Sequence, residues 1–284
     1  MTVWITHLLN GLSFGALLFL IASGFTLAFG LMKIVNIVHG SFYMLGAYVA
    51  IGTMKATGSF PLAVLAGAAL VMVVGVATEE LLLRRFPLGD LQQIMLTMGL
   101  AFIISQVCLI VWGGNPMTIA TPDVLRGPVF IGPVVFPKYR LFLIAVAIAV
   151  FLLLWFVLER TPIGARVRAS VDDREMAGAM KIDTRLLSTG MFGFSALLAG
   201  FGGAIGAPYV GAYPGLDFAI LPLALVVVIV GGLGSLTGAA LGSVVVGVLD
   251  SMGKALVPEL AYFTLFAPMI LILALRPSGL LGRP

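Results

Sequence analysis

Few residues in this chain could carry out catalysis or bind a nucleotide. Its two histidines, His7 and His39, and its one cysteine, Cys108, are too few for a catalytic triad or a cluster of metal ligands. The nearest approach to a phosphate-binding loop is residues 253–255, Gly-Lys-Ala. It lacks the Ser or Thr after the lysine and has Val248 in place of the first glycine. The sequence therefore predicts neither an enzyme nor an ATPase, with no metal or cofactor bound by the chain itself.

The composition is that of a membrane protein. Hydrophobic residues make up 61% of the 284 residues, charged residues make up 10%, and the mean hydropathy is +1.16. In soluble domains about a quarter of the residues are charged. We therefore predict a single all-α transmembrane domain over residues 1–284, whose first span is retained because no cation except the amino terminus precedes it. Glycines spaced four apart predict close helix packing at Gly11 and Gly15, Gly202 and Gly206, and Gly238 and Gly242.

Apolar segments near the length that a bilayer requires, about 20 residues, recur along the chain. Two short ones flank the glycine-rich stretch 231–238, which predicts either a broken, re-entrant pair or an ordinary helical hairpin with a glycine turn. The first alternative gives eight spans and the second gives nine. Residues 113–139 are predicted to be a weakly structured loop on the outside. The predicted spans are residues 7–30, 35–54, 60–83, 91–112, 141–158, 188–209, 218–230, 239–253 and 262–275.

The distribution of cations favours nine spans. With that count the amino terminus is periplasmic, the carboxyl terminus is cytoplasmic, and most Lys and Arg residues lie inside, as the positive-inside rule requires. Eleven of the sixteen cations are then cytoplasmic: Lys33, Arg84, Arg85, Arg160, Arg166, Arg168, Arg174, Lys181, Arg185, Arg276 and Arg283.

One long charged stretch, residues 159–187, interrupts the apolar chain and is predicted to be a cytoplasmic loop. Pro162 can open a first helix, and Asp172 and Asp173 can cap a second helix. That second helix places Met176, Ala179 and Met180 on one side at i, i+3, i+4 spacing, which forms a small apolar face. Two interpretations stay open: a connector solvated on all sides, or a docking helix for a soluble cytoplasmic protein.

Acidic groups inside the spans are few. Glu79 and Glu80, near the inner end of the third span, are expected to snorkel or to pair with Arg84. Asp250 is predicted to be the only deep acid and to pair with Lys254, since the acid precedes the base by four residues on a helix. A proton-driven carrier would need a chain of such groups, so this scarcity disfavours that class.

Four motifs resemble the inner-membrane permeases of bacterial branched-chain amino-acid ABC importers, in order and over essentially the whole chain. The motifs are the amino-terminal stretch at residues 10–50 with its Asn-x-x-His-Gly element, the charged stretch TPIGARVRASVDDREMAGAMKIDTRLLS, GGLGSLTGAALG, and LRPSGLLG near the end. The length resembles the shorter, LivH-type of the two permeases. One departure stands out: Lys181 follows Met180, where a glycine is common.

The resemblance implies a set of partners and a coupling mechanism. In this family a second, longer permease lies alongside, two cytoplasmic ATPase subunits that use ATP and Mg bind underneath, and a periplasmic binding protein delivers the solute. The second helix of the charged stretch would then be a coupling helix that docks on an ATPase. The coupling residues implied are Ala169, Asp173, Glu175, Ala177, Gly178 and Met180.

Polar groups on the first two spans are expected to line or support the translocation pathway: Asn10, Ser13, Asn36, His39 and Ser41. The alternative is that they hold the first spans together by hydrogen bonds across helices. The solute is expected to be a branched-chain or other hydrophobic amino acid. Urea, short amides or aromatic acids are the alternative within this class. From other classes, an ATP-independent carrier and a structural membrane subunit remain as competing hypotheses.

Overall fold

A computed structural model describes residues 2–32, 36–85, 89–132, 134–276 and 278–282. Most of the described chain is helical, and a π-helical turn, Glu79–Leu83, extends α3. Pro162 lies in the first turn of α6, so that helix start is confirmed. Of the two predicted caps of the next helix, Asp173 caps α7, whereas Asp172 is the last residue of α6. The helices are α1 Thr2–Met32, α2 Val38–Thr57, α3 Phe60–Thr78, α4 Asp90–Trp112, α5 Lys138–Arg160, α6 Pro162–Asp172, α7 Arg174–Ala179, α8 Thr184–Val210, α9 Leu216–Gly231, α10 Leu236–Leu256 and α11 Ala261–Leu275.

Every predicted span corresponds to a helix, but not every helix is a clear membrane span by itself. Within the described residues six helices are long and apolar enough to cross a membrane, and they belong to α1, α3, α4, α5, α8 and α10. The helix α9 has 16 residues and α11 has 15, and at 1.5 Å per residue each is shorter than a hydrocarbon core of about 30 Å. The helix α2 has 20 residues but begins with a buried polar group.

The loop between α4 and α5 is more ordered than the sequence predicted, and it makes the all-α prediction incomplete. It contains a 3-10 turn, Asp123–Leu125, and an antiparallel hairpin of β1, Pro128–Ile131, with β2, Val134–Pro137. Val134 and Phe136 are buried whereas Val135 is exposed, which is the alternation of a half-buried strand. The prolines obscured that short signal. The same loop pairs with the chain after α8 through Met117 and Ala212.

Close helix packing occurs at the predicted glycines. A Cβ placed on Gly11 would lie 2.6 Å from Val248 Cα, and one on Gly15 would lie 2.5 Å from Ser243 O. Position 11 meets position 248 and position 15 meets position 243, so α1 and α10 run antiparallel with their backbones in contact. The other two predicted pairs also lie at helix contacts, Gly202 and Gly206 against α1 and α2, and Gly238 and Gly242 against α9.

The helices α9 and α10 form a hairpin around a glycine-rich turn, and the choice between eight and nine spans stays a prediction. Ser235 caps α10, because its Oγ accepts a hydrogen bond from Gly238 N at 3.0 Å. The carboxyl-terminal tail completes the end of α9: Leu280 N donates to Val230 O at 2.9 Å and Leu281 N donates to Gly231 O at 3.0 Å. The tail thereby satisfies carbonyl groups that a helix end leaves without partners.

Burial is uneven among the helices. In the most apolar stretches of α1 and α8, 83% and 78% of the residues are buried within the chain, against 22% in α4 and in α5. The core therefore lies around α1, α2, α8 and α9, while α4 and α5 present apolar side chains outward.

Candidate functional site

The charged stretch forms a bent pair of helices, α6 and α7, and each of them buries a side chain against the bundle. Val167 of α6 is buried in a small cluster that takes Leu27 from α1, Leu154 from α5, and Met191 and Leu198 from α8. A displacement of α6 would therefore act directly on α1, α5 and α8.

The coupling residues that the resemblance implies lie on the last turn of α6 and along α7 with its two caps. Asp173 Oδ1 accepts a hydrogen bond from Met176 N at 2.9 Å and so begins α7. Ala177 is 4% exposed and faces the rest of the chain. The Asp173 N–H in turn donates to Ala169 O at 3.0 Å, which links the end of α6 to the start of α7. Ala169, Asp173, Glu175, Gly178 and Met180 are exposed.

The predicted apolar face of α7 has no covering partner among the described residues. Met176 is 62% exposed and Met180 is 72% exposed, and Ala179 beside them is also exposed. A Cβ placed on Gly178 would meet nothing within 4 Å. Exposed methionines on a polar segment are typical of adaptable binding surfaces. Both predicted interpretations, a docking face and a solvated connector, stay predictions.

The end of α7 has the geometry that usually selects glycine, although the residue there is lysine. Lys181 has φ = 61°, the one positive φ of a non-glycine residue in the part of the chain that the structure describes. The turn is closed by Ile182 N donating to Ala177 O at 3.1 Å. Lysine in place of glycine therefore leaves the end of α7 where it is. It puts a side chain at a position whose left-handed conformation costs roughly 1 kcal/mol.

Lys181→Gly is expected to stabilise this turn by about 0.5–1 kcal/mol, since glycine adopts positive φ freely and loses only part of that gain to chain entropy. Hydrogen exchange at the Ile182 amide should slow about two- to fivefold. Ala179→Gly, a glycine inside the helix, should speed the same exchange. Equal exchange in both variants would contradict the account of this turn.

A second candidate site is a group of buried polar residues where α2 begins. His39 is fully buried, and its Nε2 donates to Ile21 O at 3.0 Å while its Nδ1 has no partner among the described residues. Asn36 is 5% exposed, and neither of its amide atoms has a partner there. Ile21 is eleven residues from the end of α1, about 16 Å along the helix. The first turn of α2 therefore lies beside the middle of α1, deep in the bundle.

Ser41 is hydrogen-bonded to a buried acid, Asp217, that the sequence analysis did not identify. Its Oγ donates to Asp217 Oδ2 at 3.0 Å, and Asp217 is 2% exposed with no hydrogen-bond partner for Oδ1 in the described chain. Gly40 allows this approach, because a Cβ there would lie 2.5 Å from Asp217 O. The available signal was a lone acid at the start of an apolar segment, just before the predicted span 218–230.

Two of the predicted pathway residues lie apart from this group. Asn10 accepts a hydrogen bond from Arg140 of α5, and Ser13 donates to Leu9 O at 2.8 Å within α1. Asn36 instead lies just before α2, beside His39 and Ser41 of its first turn. The structure therefore divides the five predicted residues into one deep group and two positions near the start of α1.

The prediction that Asp250 is the only deep acid is wrong. Asp250 does pair with Lys254, at 2.7 Å from Nζ to Oδ2, as predicted. Glu79 is 4% exposed and accepts a hydrogen bond from Thr189 Oγ1 at 2.6 Å, rather than snorkelling. Of the two glutamates, only Glu80 pairs with Arg84, at 3.9 Å. The two missed acids, Glu79 and Asp217, are both held by hydroxyl groups of distant helices, which the local sequence does not reveal.

Together these features define a class: a multi-pass helical membrane protein with buried polar groups and a short helix, α7, that exposes an apolar face outside the bundle. The family model described as "Branched-chain amino acid transport system / permease component" matches residues 7–275. The chain therefore belongs to the branched-chain amino-acid ABC transporter permeases, and it is similar to their LivH type. The predicted resemblance is confirmed.

Several permease proteins align along nearly the full length of this chain. The high-affinity branched-chain amino acid transport system permease protein BraD of Pseudomonas aeruginosa is 28% identical, over 99% of this chain and 96% of that protein. LivH of Escherichia coli K12, which carries the same description, is 24% identical over the same shares. Among solved structures, PsaBC from Streptococcus pneumoniae in complex with Fab aligns over 92% of this chain and 87% of that chain, with 12% identity and a TM-score of 0.48.

Proposed function

We propose that this chain is the permease subunit of an ATP-driven importer that moves branched-chain or other hydrophobic amino acids into the cytoplasm. The observation that carries the proposal is the unpartnered apolar face of α7, Met176, Ala179 and Met180, in a chain of the ABC permease family. A transporter that works alone has no use for such a face. The printed descriptions of BraD and LivH support amino acids as the cargo.

The proposed topology has nine crossings, α1 to α5 and α8 to α11, with a periplasmic amino terminus and a cytoplasmic carboxyl terminus. Antiparallel packing supports it: α8 runs opposite to α1 and to α3. The segment α6–α7 then lies in the cytoplasm, as its arginines favour. Of the cations that led to this orientation, Lys33 and Arg283 lie outside the described residues, and Arg84, Arg85 and Arg185 lie at helix ends on the side of α7.

The proposed partners follow from that topology. A second, longer permease lies beside this chain, and α4 and α5 offer exposed apolar surface for a partner or for lipid. Two ATPase subunits, which bind ATP and Mg, lie underneath. One of them holds α7 through Ala169, Asp173, Glu175, Gly178 and Met180, while Ala177 supports the turn from inside. A periplasmic binding protein delivers the solute.

The proposed transmission runs from α7 through α6 to the bundle. Closure of the ATPase pair moves α7, the linked turn at Asp173 carries the displacement to α6, and Val167 passes it to α1, α5 and α8. ATP binding drives the change only insofar as the ATPase pair binds one state of the permease more tightly than the other.

The buried polar group at the start of α2 is proposed to line the central part of the translocation pathway. It consists of Asn36, His39 and Ser41, together with Asp217. Burial of an ionisable group and of an unsatisfied amide in a membrane protein costs free energy that packing alone does not return. Asn10 and Ser13 are assigned a supporting role near the start of α1, where Asn10 bonds Arg140.

Asp217→Asn is expected to reduce leucine uptake at least tenfold without loss of folded protein, because it keeps the size and the acceptor for Ser41 but removes the charge. Initial uptake rates in proteoliposomes measure this. The matched control is Asp250→Asn, which changes a buried acid that already has Lys254 as partner. Equal uptake by both variants would remove Asp217 from the pathway.

Co-purification tests the proposal as a whole. The chain should be recovered with a longer permease and two ATPase subunits, and leucine should stimulate ATP hydrolysis by the reconstituted complex with its binding protein. Stimulation by urea, short amides or aromatic acids instead would keep the architecture and change the cargo. Transport by the purified chain alone would replace the proposal with an ATP-independent carrier. Assembly of the complex without any transport activity would instead indicate that the chain is a structural subunit.

A further inference from the structure

A cleft opens where the end of α3 meets the start of α8. It has a volume of about 560 Å³ and takes its lining from two short stretches: Glu80, Leu81, Arg84 and Arg85 on one wall, and Asp183, Arg185, Leu186 and Thr189 on the other. The hydrogen bond from Thr189 to Glu79 fixes the two walls at their base. The cleft is separate from the apolar face of α7 and from the deep group at α2.

Among the described residues, two cations of the cleft have no ion-pair partner. Glu80 forms an ion pair with Arg84. Asp183 caps α8, because its Oδ1 accepts hydrogen bonds from Arg185 N at 3.1 Å and from Leu186 N at 2.9 Å. The side chains of Arg85 and Arg185 are exposed, and within the described chain neither guanidinium has an acidic or aromatic partner. Both acids thus have local roles, and each wall carries one guanidinium that no acid of the described chain pairs.

The cleft lies where two candidate membrane spans end, which is the level of the membrane surface. Two of the candidate spans, Phe60–Leu83 and Thr184–Val210, end and begin at its walls. Leu81 is 55% exposed and Leu186 is 71% exposed, so apolar surface adjoins the two free arginines. Guanidinium groups bind phosphate oxygens in a bidentate manner, and basic pockets between membrane helices bind anionic headgroups.

We propose that this cleft binds the headgroup of an anionic phospholipid, with Arg85 and Arg185 on the phosphate and Leu81 and Leu186 against the start of the acyl chains. The bound lipid would join α3 to α8 at the surface next to α7. An acidic segment of a partner protein would satisfy the arginines but not the leucines at the ends of two spans, so the lipid is the occupant that the surface favours.

The test uses the full chain in a neutral detergent, titrated with dioleoylphosphatidylglycerol, with dioleoylphosphatidylcholine as the neutral comparison. Retained lipid is counted by native mass spectrometry. Wild type should retain phosphatidylglycerol selectively, and the Arg85→Gln/Arg185→Gln variant should bind it about 25-fold more weakly, about fivefold for each cation removed. Arg85→Lys/Arg185→Lys, which keeps both charges, should retain much of the binding.

The matched control removes two exposed cations outside the cleft, Arg166→Gln and Lys181→Gln, and should leave lipid retention unchanged. Equal losses of bound lipid in the control and the cleft variant would show only a general attraction between cations and anionic lipid, and would overturn the proposed site. Complete competition by an equimolar amount of inorganic phosphate would overturn the lipid claim and leave a phosphate site. Unchanged lipid retention with loss of ATPase binding in the cleft variant would assign the arginines to the protein partner.

Discussion

Gly178→Asp should abolish ATP-driven uptake while the chain still folds and inserts. A Cβ at Gly178 meets nothing within 4 Å, so the new side chain has room within this chain. If α7 is the docking helix, the carboxylate is instead buried against the ATPase without a partner. An unpaired buried charge costs several kcal/mol, and about 3 kcal/mol already weakens binding more than a hundredfold. Co-purification of the ATPase and leucine-stimulated ATP hydrolysis should fall together.

Two controls separate docking from folding for this variant. Val124→Asp adds the same charge at a position that is 86% exposed in the loop between α4 and α5, on the opposite side of the bundle, and should leave ATPase binding unchanged. Glu175→Arg reverses an exposed charge on α7 itself and should weaken binding as Gly178→Asp does. Normal ATPase binding by both α7 variants would show that the partner docks elsewhere.

Gly46→Leu should destroy the folded bundle. Gly46 of α2 crosses Gly200 of α8 with the two backbones in contact, and a Cβ at position 46 would lie 2.5 Å from Gly200 Cα. Overpacking a well-packed core costs about 1–3 kcal/mol, and more when the obstacle is backbone that cannot move aside. Since domains are stable by only about 5–15 kcal/mol, we expect most of the protein to aggregate or to be degraded.

Gly99→Leu is the matched control for that variant. Gly99 is an exposed glycine inside α4, and a Cβ there would meet nothing within 4 Å. The same substitution at this position should leave a monodisperse peak in size-exclusion chromatography and should slightly favour the helix. Comparable yields of the two leucine variants would contradict the packing that places α2 against α8.

The sequence was sufficient for what depends on local pattern. Long apolar runs predicted the helices, and the glycine pairs predicted backbone contacts such as Gly11 with α10. Pro162 and the acid pair Asp172 and Asp173 predicted to within a residue where α6 and α7 begin. The face of α7 followed from i, i+3, i+4 spacing. These features depend on residues within a few turns of one another, so one sequence can reveal them.

The pairings between distant residues could not be predicted. Ser41 and Asp217 are 176 residues apart, and Glu79 and Thr189 are 110 apart, so nothing in either neighbourhood identifies the partner. The depth of the α2 start was hidden for the same reason, because it depends on His39 meeting Ile21. The β-hairpin was missed because its strands have four residues each and are rich in proline.

The most direct measurement is leucine accumulation in proteoliposomes that contain this chain with its longer permease, the two ATPases and the binding protein, with and without ATP on the α7 side. The account predicts accumulation against a gradient only with ATP, and none with Gly178→Asp. Equilibration of leucine by the purified chain alone, unaffected by ATP or by Gly178→Asp, would contradict it.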